Sequence, residues 1–369
     1  MNLHIFHNIT FLDFAKQEFE LTNEDEKFVI ITDQEDEIDD KEFFSQLSLR
    51  EFIKINNPQR IIIHYLDGVK AKPIIDSEYK GYIHWSAWGA DIYSPHFGFS
   101  KKSLYLKKTK KIYHKLKIRS QENIVYRSLK LFRPILGFAF KLRYNHLHNY
   151  YYVEQLLSKV NSFSTVVPTE KDIIQRRVNG NYKAFTYGNI KTLVPEKLRK
   201  MKDIELGDRI LVGGSATLSQ NHLDIFEITG YEINAVIPIN YGEEMYKQYL
   251  IDKLSGYKNF ILLTERLSYE SYIELLMSCG CLIMNQLRQQ SVGSIVLGLF
   301  LGMRVYLNAS NPVYKFLVSE NFIVFDLQKD FSNYGCSPLT KMEIEKNRKC
   351  LSDYWGEESS EKRMRNFWD

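Results

Sequence analysis

Cysteine is scarce, with 4 in 369 residues at positions 279, 281, 336 and 350. These show neither the CxxC spacing of a metal knuckle nor the framework of a disulfide-stapled secreted domain, so they read as buried thiols. There is no HExxH, no His/Cys cluster and no Asp-x-Asp of the kind that seats a divalent ion on a diphosphate, so neither a metal nor another cofactor is expected. Long apolar runs are also missing: "VLGLFLGM" at 296–303 falls far short of the ~20 residues that cross a bilayer as a helix. The first twenty residues carry Asp13, Lys16, Glu18 and Glu20 in place of a basic end and an apolar block, which predicts an amino terminus that stays in the cytosol. Tryptophan is rare, with 4 residues, yet two of them stand three apart in "YIHWSAWGADIY" (82–93).

What is present is size and an uneven charge. A chain of 369 residues that is 44% hydrophobic exceeds one ordinary core and predicts two domains. Net charge is only +4, but residues 101–143 hold 14 Lys or Arg against the single acid Glu122, a local +13 that leaves −9 for the rest. Tyr105, Ile112, Tyr113, Leu116, Phe132, Phe138 and Phe140 interleave with those charges. That mixture suits an anionic membrane surface, where each basic residue contributes about 1 kcal/mol. Nucleic acid would also be attracted, but is not an expected partner. A helix with a solvated charged face and a core-facing apolar stripe has the same pattern.

Along the first hundred residues "KFVIIT", "RIIIHYL" and "GYIHWS" read as short strands separated by helical stretches. "SFSTVVPT" and "NYKAFTY" follow the basic segment as further strands. A second alternation runs from "RILVGG" through "AVIPINY", "NFILLTERL", "CLIMNQ" and "RVYLN" to "NFIVFD". The fold class is therefore α/β, with two Rossmann-like doubly wound domains in series and the strand ends of each facing a cleft. The expected boundaries are 1–195 for the first domain with a basic insertion at 101–147, 205–345 for the second, and 346–369 for a C-terminal helix packing back on the first.

Candidate chemistry clusters at strand ends. Gly213, Gly214, Ser215 and Thr217 in "ILVGGSATLSQNH" make either a phosphate cradle or a tight βα turn. Asn285, Arg288 and Gln289 precede a helix whose first amides, from Ser291 to Ser294, can hold a diphosphate or can simply be capped. Glu265 can accept from sugar or ribose hydroxyls and Tyr272 can stack on a base, while Asn240 and Tyr241 end the "VIPINY" strand. In "HWSAWGAD", Asp91 is the candidate base for an acceptor hydroxyl, His84 its rival, and Trp85 or Trp88 an apolar face for a sugar ring. Asp91 can equally cap the turn, and His84 can be a core residue.

Taken together, "HWSAWGADIY", "ILVGGSATLSQNH", "VIPINYG", "LTERLSYESYIELLMSC" and "NQLRQQSVGSIVLGLFLGMRVYLN" resemble the bacterial dTDP-N-acetylfucosamine:lipid II N-acetylfucosaminyltransferases, of 4-alpha-L-fucosyltransferase type. The resemblance spans roughly residues 60–320. It implies a GT-B glycosyltransferase with a nucleotide-sugar donor on the second domain, an acceptor on the first and no catalytic metal. By position it favours His84, Trp88, Gly89 and Asp91 on the acceptor side. On the donor side it favours Gly213, Ser215, Asn221, His222, Glu265, Tyr272, Gln289, Gln290, Gly293 and Ser294. The chain departs where Gly214 replaces an Asn, where Ser291-Val292 replace Gly-Ile, and where Leu297 stands in place of the acid many GT-B enzymes carry.

The function this predicts is transfer of a sugar such as N-acetylfucosamine to an undecaprenyl-diphosphate-linked saccharide in surface polysaccharide synthesis. The enzyme would be cytoplasmic and peripheral on the inner membrane face. The alternative is a noncatalytic scaffold of degenerate GT-B fold that binds membrane or nucleic acid.

Overall fold

The computed structural model describes residues 1–7, 9–32, 43–116, 145–201 and 204–368. Among these the chain forms two units, each built on an all-parallel sheet. The first comprises 1–100, 145–188 and 358–368, the second 101–116 and 189–357.

The first sheet has the order β3-β2-β1-β4-β5-β6-β7, from strands β1 Asn2–Phe6, β2 Glu26–Ile31, β3 Phe43–Phe44, β4 Arg60–His64, β5 Tyr82–Ser86, β6 Ser162–Ser164 and β7 Asn181–Tyr182. Its central strands are buried on both faces, as in a sheet covered on both sides, and most of their residues are apolar. Ile5, Val29, Ile31, Ile61 and Ile63 join one core with Leu49 and Ile53 of helix Gln46–Asn56 and Leu156 of helix Asn145–Leu157. The alternate residues Phe6, Ile30 and Ile62 face a second core, made with Phe19 of helix Leu12–Phe19 and with Met364 and Phe367 of the tail. The tail thus fills a layer this unit would otherwise lack, which explains why residues 358–368 return to it. It forms helix Glu357–Arg365, separate from helix Lys341–Trp355, where the sequence suggests a single helix.

The second sheet runs β10-β9-β8-β11-β12-β13, from β8 Arg209–Val212, β9 Ala235–Pro238, β10 Phe260–Leu263, β11 Cys279–Met284, β12 Arg304–Leu307 and β13 Phe325–Asp326. Each expected strand of this half is present, although "NFIVFD" contributes only its last two residues.

The basic segment departs from expectation where it is described. Residues 101–116 pack with the second unit, because Asn221 and Asp224 of that unit hold their backbone. Asn221 Oδ1 accepts from the Leu106 amide at 2.8 Å, and Asp224 accepts from the amides of Lys108 and Thr109, at the start of helix Lys107–Lys115. Tyr105, Ile112 and Tyr113 are buried there, whereas Lys101, Lys102, Lys107, Lys110, Lys111 and Lys115 are exposed. This stretch therefore has a core-facing stripe beneath a solvated charged face, and its aromatics are not available to a membrane. Residues 117–143 of the basic segment, with Phe132, Phe138 and Phe140, lie outside the described residues. No helix among the described residues is long and apolar enough to cross a membrane.

Candidate functional site

In the second unit the strand order reverses between β8 and β11, and the carboxyl ends of strands at such a point are where open α/β sheets take ligands. A cavity of about 310 Å³ is lined by Gly213 and Gly214 after β8, Asn240 and Tyr241 after β9, and Glu265, Arg266 and Leu267 after β10. Tyr272 of helix Tyr269–Met277 and Ser294 of helix Val292–Leu301 complete it, with Leu211, Pro238 and Leu263 at its base. Gly213 has φ +70°, and a Cβ there would meet His222 Nε2 at 2.7 Å, so this turn accepts only glycine. Burial raises the Tyr241 and Tyr272 hydroxyls above their usual pKa. No side chain caps helix Val292–Leu301, and a Cβ on Gly293 would meet nothing within 4 Å, which leaves first-turn amides for an anion.

The first sheet reverses order between β1 and β4. His7 follows β1, Tyr65 to Asp67 follow β4, and Trp88 to Asp91 follow β5. Asp91 is 6% exposed and both its oxygens are engaged. Oδ2 accepts from the Leu66 amide and Trp85 Nε1, and Oδ1 from the Trp88 amide, all at 2.9 Å. Burial pushes its carboxyl pKa up and these donors oppose the rise. Gly89, at φ +91°, lets the turn close so that its carbonyl accepts from Ile92 and Tyr93. Trp88 is half-buried and its Nε1 donates to Tyr187 Oη, which bonds His64 Nδ1. His64 Nε2 meets His4 Nδ1, and His4 Nε2 meets Glu26. Because the Glu26 carboxylate can only accept, the indole can only donate and burial keeps both imidazoles neutral, the chain has one direction: indole to tyrosine, tyrosine to His64, His64 to His4, and His4 to the carboxylate.

Residues 161–342 match the 4-alpha-L-fucosyltransferase family, glycosyl transferase group 56. Over that span the chain is similar to the group 56 glycosyltransferases. The whole fold is similar to sucrose-phosphate synthase from Thermosynechococcus elongatus, at 9% identity and TM-score 0.62, covering 100% of this chain and 98% of that one. It is also similar to WaaG, a glycosyltransferase involved in lipopolysaccharide biosynthesis, at 10% identity and TM-score 0.51, covering 100% and 95%. An alpha,alpha-trehalose-phosphate synthase from Burkholderia vietnamiensis matches at 8% identity and TM-score 0.51, covering 87% and 74%. Identities this low speak to fold alone, and the fold is GT-B.

The transferase's cavity unites Gly213, Gly214, Asn240, Tyr241, Glu265, Tyr272 and Ser294, which the sequence spreads over five segments. The other expected donor residues stand elsewhere. Asn221 is fully buried, with Nδ2 donating to the carbonyls of Leu104, Ser219 and Asn285, so it is a tether rather than a cavity wall. His222 is buried against Tyr246 Oη, and burial pulls its pKa down to about 3, so it is neutral. Gln290 braces Ser219 and Thr217, Asn285 accepts from Asn308, and Arg288 donates to the Gln289 carbonyl. Behind the cavity, His222 Nε2, Asn285 Nδ2, Gln286 Oε1 and Gln289 Oε1 are buried without a protein partner.

In the first unit, the base assigned to Asp91 presents no free oxygen, and its geometry is that of a turn clamp. His84 is fully buried between Ser162 and Ser164, and burial pulls its pKa down to about 3, which makes it a core histidine. Trp85 is fully buried and stacks on Phe97, so only Trp88 is left as an aromatic face. His7 beyond β1 and Tyr65 and Asp67 beyond β4 are not singled out by the sequence, and Arg266 in the cavity is placed by it past a strand but given no role. The signal for Arg266 was its adjacency to Glu265; for His7 it was only the short run "NLHIF", interrupted by His4, that precedes it. Among the described residues no group of three or more His, Cys, Asp or Glu could hold a metal ion.

Proposed function

We propose that the enzyme transfers a sugar, N-acetylfucosamine or a related deoxyamino sugar, from a nucleoside diphosphate to an undecaprenyl-diphosphate-linked saccharide of a bacterial surface polysaccharide. The observation that carries this reading is the cavity of the second unit, where two tyrosines, an acid, an arginine and a glycine turn converge at one strand-order reversal. In it, Tyr241 or Tyr272 stacks on the base, Glu265 accepts from ribose or sugar hydroxyls, and the diphosphate lies on the first amides of helix Val292–Leu301. The partnerless His222 Nε2 and Asn285 Nδ2 are donors that a diphosphate, or a water beneath it, would satisfy. Arg266 and the helix amides supply the charge compensation, and transfer is expected to continue with chelator present.

The acceptor sits against Trp88 in the first unit. Exposed lysines of residues 101–116 draw the enzyme to an anionic leaflet on the cytoplasmic face, at about 1 kcal/mol per charge near the headgroups. Docking is thus electrostatic in this stretch and screened by salt.

The test offers dTDP-, UDP- and GDP-linked sugars together with an undecaprenyl-diphosphate-linked disaccharide in vesicles containing anionic lipid. Sugar transfer from one donor, unaffected by chelator and weakened by salt, is expected. Sugar-nucleotide-independent vesicle binding with no transfer from any donor would instead support the scaffold alternative.

A further inference from the structure

We propose that His7 is the catalytic base of the transfer and Asp67 its positioning residue. This rests on the transferase reading above and assigns the proton acceptor that Asp91 does not provide.

Four observations converge. His7 and Asp67 follow β1 and β4, the two strands that flank the order reversal of the first sheet, where ligands of open α/β sheets bind. His7 has a side chain 52% exposed, whereas His4, His64 and His84 of the same sheet are fully buried. Its Nδ1 stands 3.8 Å from Asp67 Oδ2, which leaves Nε2 on the opposite side of the ring for a substrate. Asp67 cannot swing away, because Oδ1 accepts from the Lys70 amide as the cap of helix Gly68–Asp76 and Oδ2 accepts from buried Lys70 Nζ at 2.6 Å.

The surroundings fit a sugar hydroxyl. Phe11, 37% exposed, meets Trp88 edge-on at 4.7 Å, and Tyr65 lies 5.9 Å from the same ring. The hydrogen-bonded chain through Tyr187 and two histidines fixes Trp88. A saccharide resting on this aromatic rim would present hydroxyls at the strand ends where His7 stands.

In the step, the acceptor hydroxyl gives its proton to His7 Nε2 as its oxygen bonds the anomeric carbon. The bond from that carbon to the β-phosphate oxygen breaks, and the nucleoside diphosphate leaves with the electron pair. The imidazolium closes its Nδ1–H onto Asp67, an ion-pair distance tightening to a hydrogen bond as catalytic contacts commonly do in the loaded site.

The test uses whichever of the dTDP-, UDP- and GDP-linked sugars the full-length wild type turns over. His7→Gly is expected to lower kcat by about 100-fold or more, with the nucleotide-induced thermal shift unchanged, and added imidazole is expected to restore part of the rate. Asp67→Asn keeps the helix cap, since Asn and Asp cap equally well, and pairing it with Lys70→Met avoids stranding a buried ammonium. That double variant is expected to lower kcat by about tenfold with nucleotide binding intact. If His7→Gly turns over within about threefold of a working wild type, or loses activity that imidazole does not repair, the assignment is overturned. Absence of wild-type turnover on every donor would remove the transferase reading itself.

Discussion

Replacing Asp91 with alanine separates a turn clamp from a catalytic base. The substitution removes the acceptor of three hydrogen bonds at 2.9 Å, from the Leu66 and Trp88 amides and the Trp85 indole. Each buried donor left unpaired costs about 1–3 kcal/mol. Relief from holding a carboxyl in a site that already raises its pKa offsets part of this, so a net loss of about 3–5 kcal/mol is expected. Trp85, Trp88 and Trp368 lie in the first unit and Trp355 in the second, so tryptophan fluorescence reports mainly on the first. With a urea slope of about 1–3 kcal/mol per molar, the midpoint should fall by about 1 M or more. Nucleotide binding in the second unit should be untouched. An Asp91→Ala protein that unfolds at the wild-type midpoint yet loses transfer by about 100-fold would refute this reasoning and return Asp91 to the role of base.

Acid should unfold the protein through its buried imidazoles. His84 and His222 have folded pKa values pulled down by burial from the ordinary 6.5 to about 3. Their contribution to stability is therefore full above pH 6.5 and lost as pH falls toward 3, so urea midpoints should drop through that window. A midpoint unchanged between pH 7 and 4 would contradict it. Asp224→Ala removes the acceptor for the Lys108 and Thr109 amides and the Thr109 hydroxyl. Loss of about 1–2 kcal/mol of local stability, read as faster tryptic cleavage within 101–116, is expected, and unchanged cleavage would argue against the tether. Phe367→Ala empties a site packed on Phe19 and His84, so the first unit should lose about 3–5 kcal/mol. An unchanged melt would mean the tail is not part of that core.

The second unit was legible because each of its strands is a short apolar run ending in a polar turn, a pattern that a buried parallel strand imposes directly. The first unit hid its central strand. "NLHIF" carries a histidine that bonds Glu26 and His64, and a polar residue in so short a run breaks the apolar signature. Missing β1 meant missing His7 beyond it. The aspartate and tryptophan motif was visible, but its role depended on where the side chains point. A three-donor clamp on Asp91 involves the Leu66 amide 25 residues away, a partner that no local pattern reveals. Similarly, Asn221 and His222 lie beside a glycine turn in sequence yet face inward. The split of the basic segment was beyond sequence pattern too, since a charged helix with an apolar stripe fits a membrane and a protein core equally well.

The most direct test of the donor cavity is a thermal-shift panel of dTDP, UDP, GDP and CDP on wild type and on Gly213→Ala, with and without chelator. At a nucleotide concentration 100 times Kd, one of the four should add about 2.7 kcal/mol, or roughly 5–10 °C for a unit of this size, and chelator should not change it. The same shift should vanish in Gly213→Ala, whose Cβ would enter the space of His222 Nε2. No shift with any nucleotide, or a shift that Gly213→Ala retains in full, would contradict a nucleotide site at the end of β8.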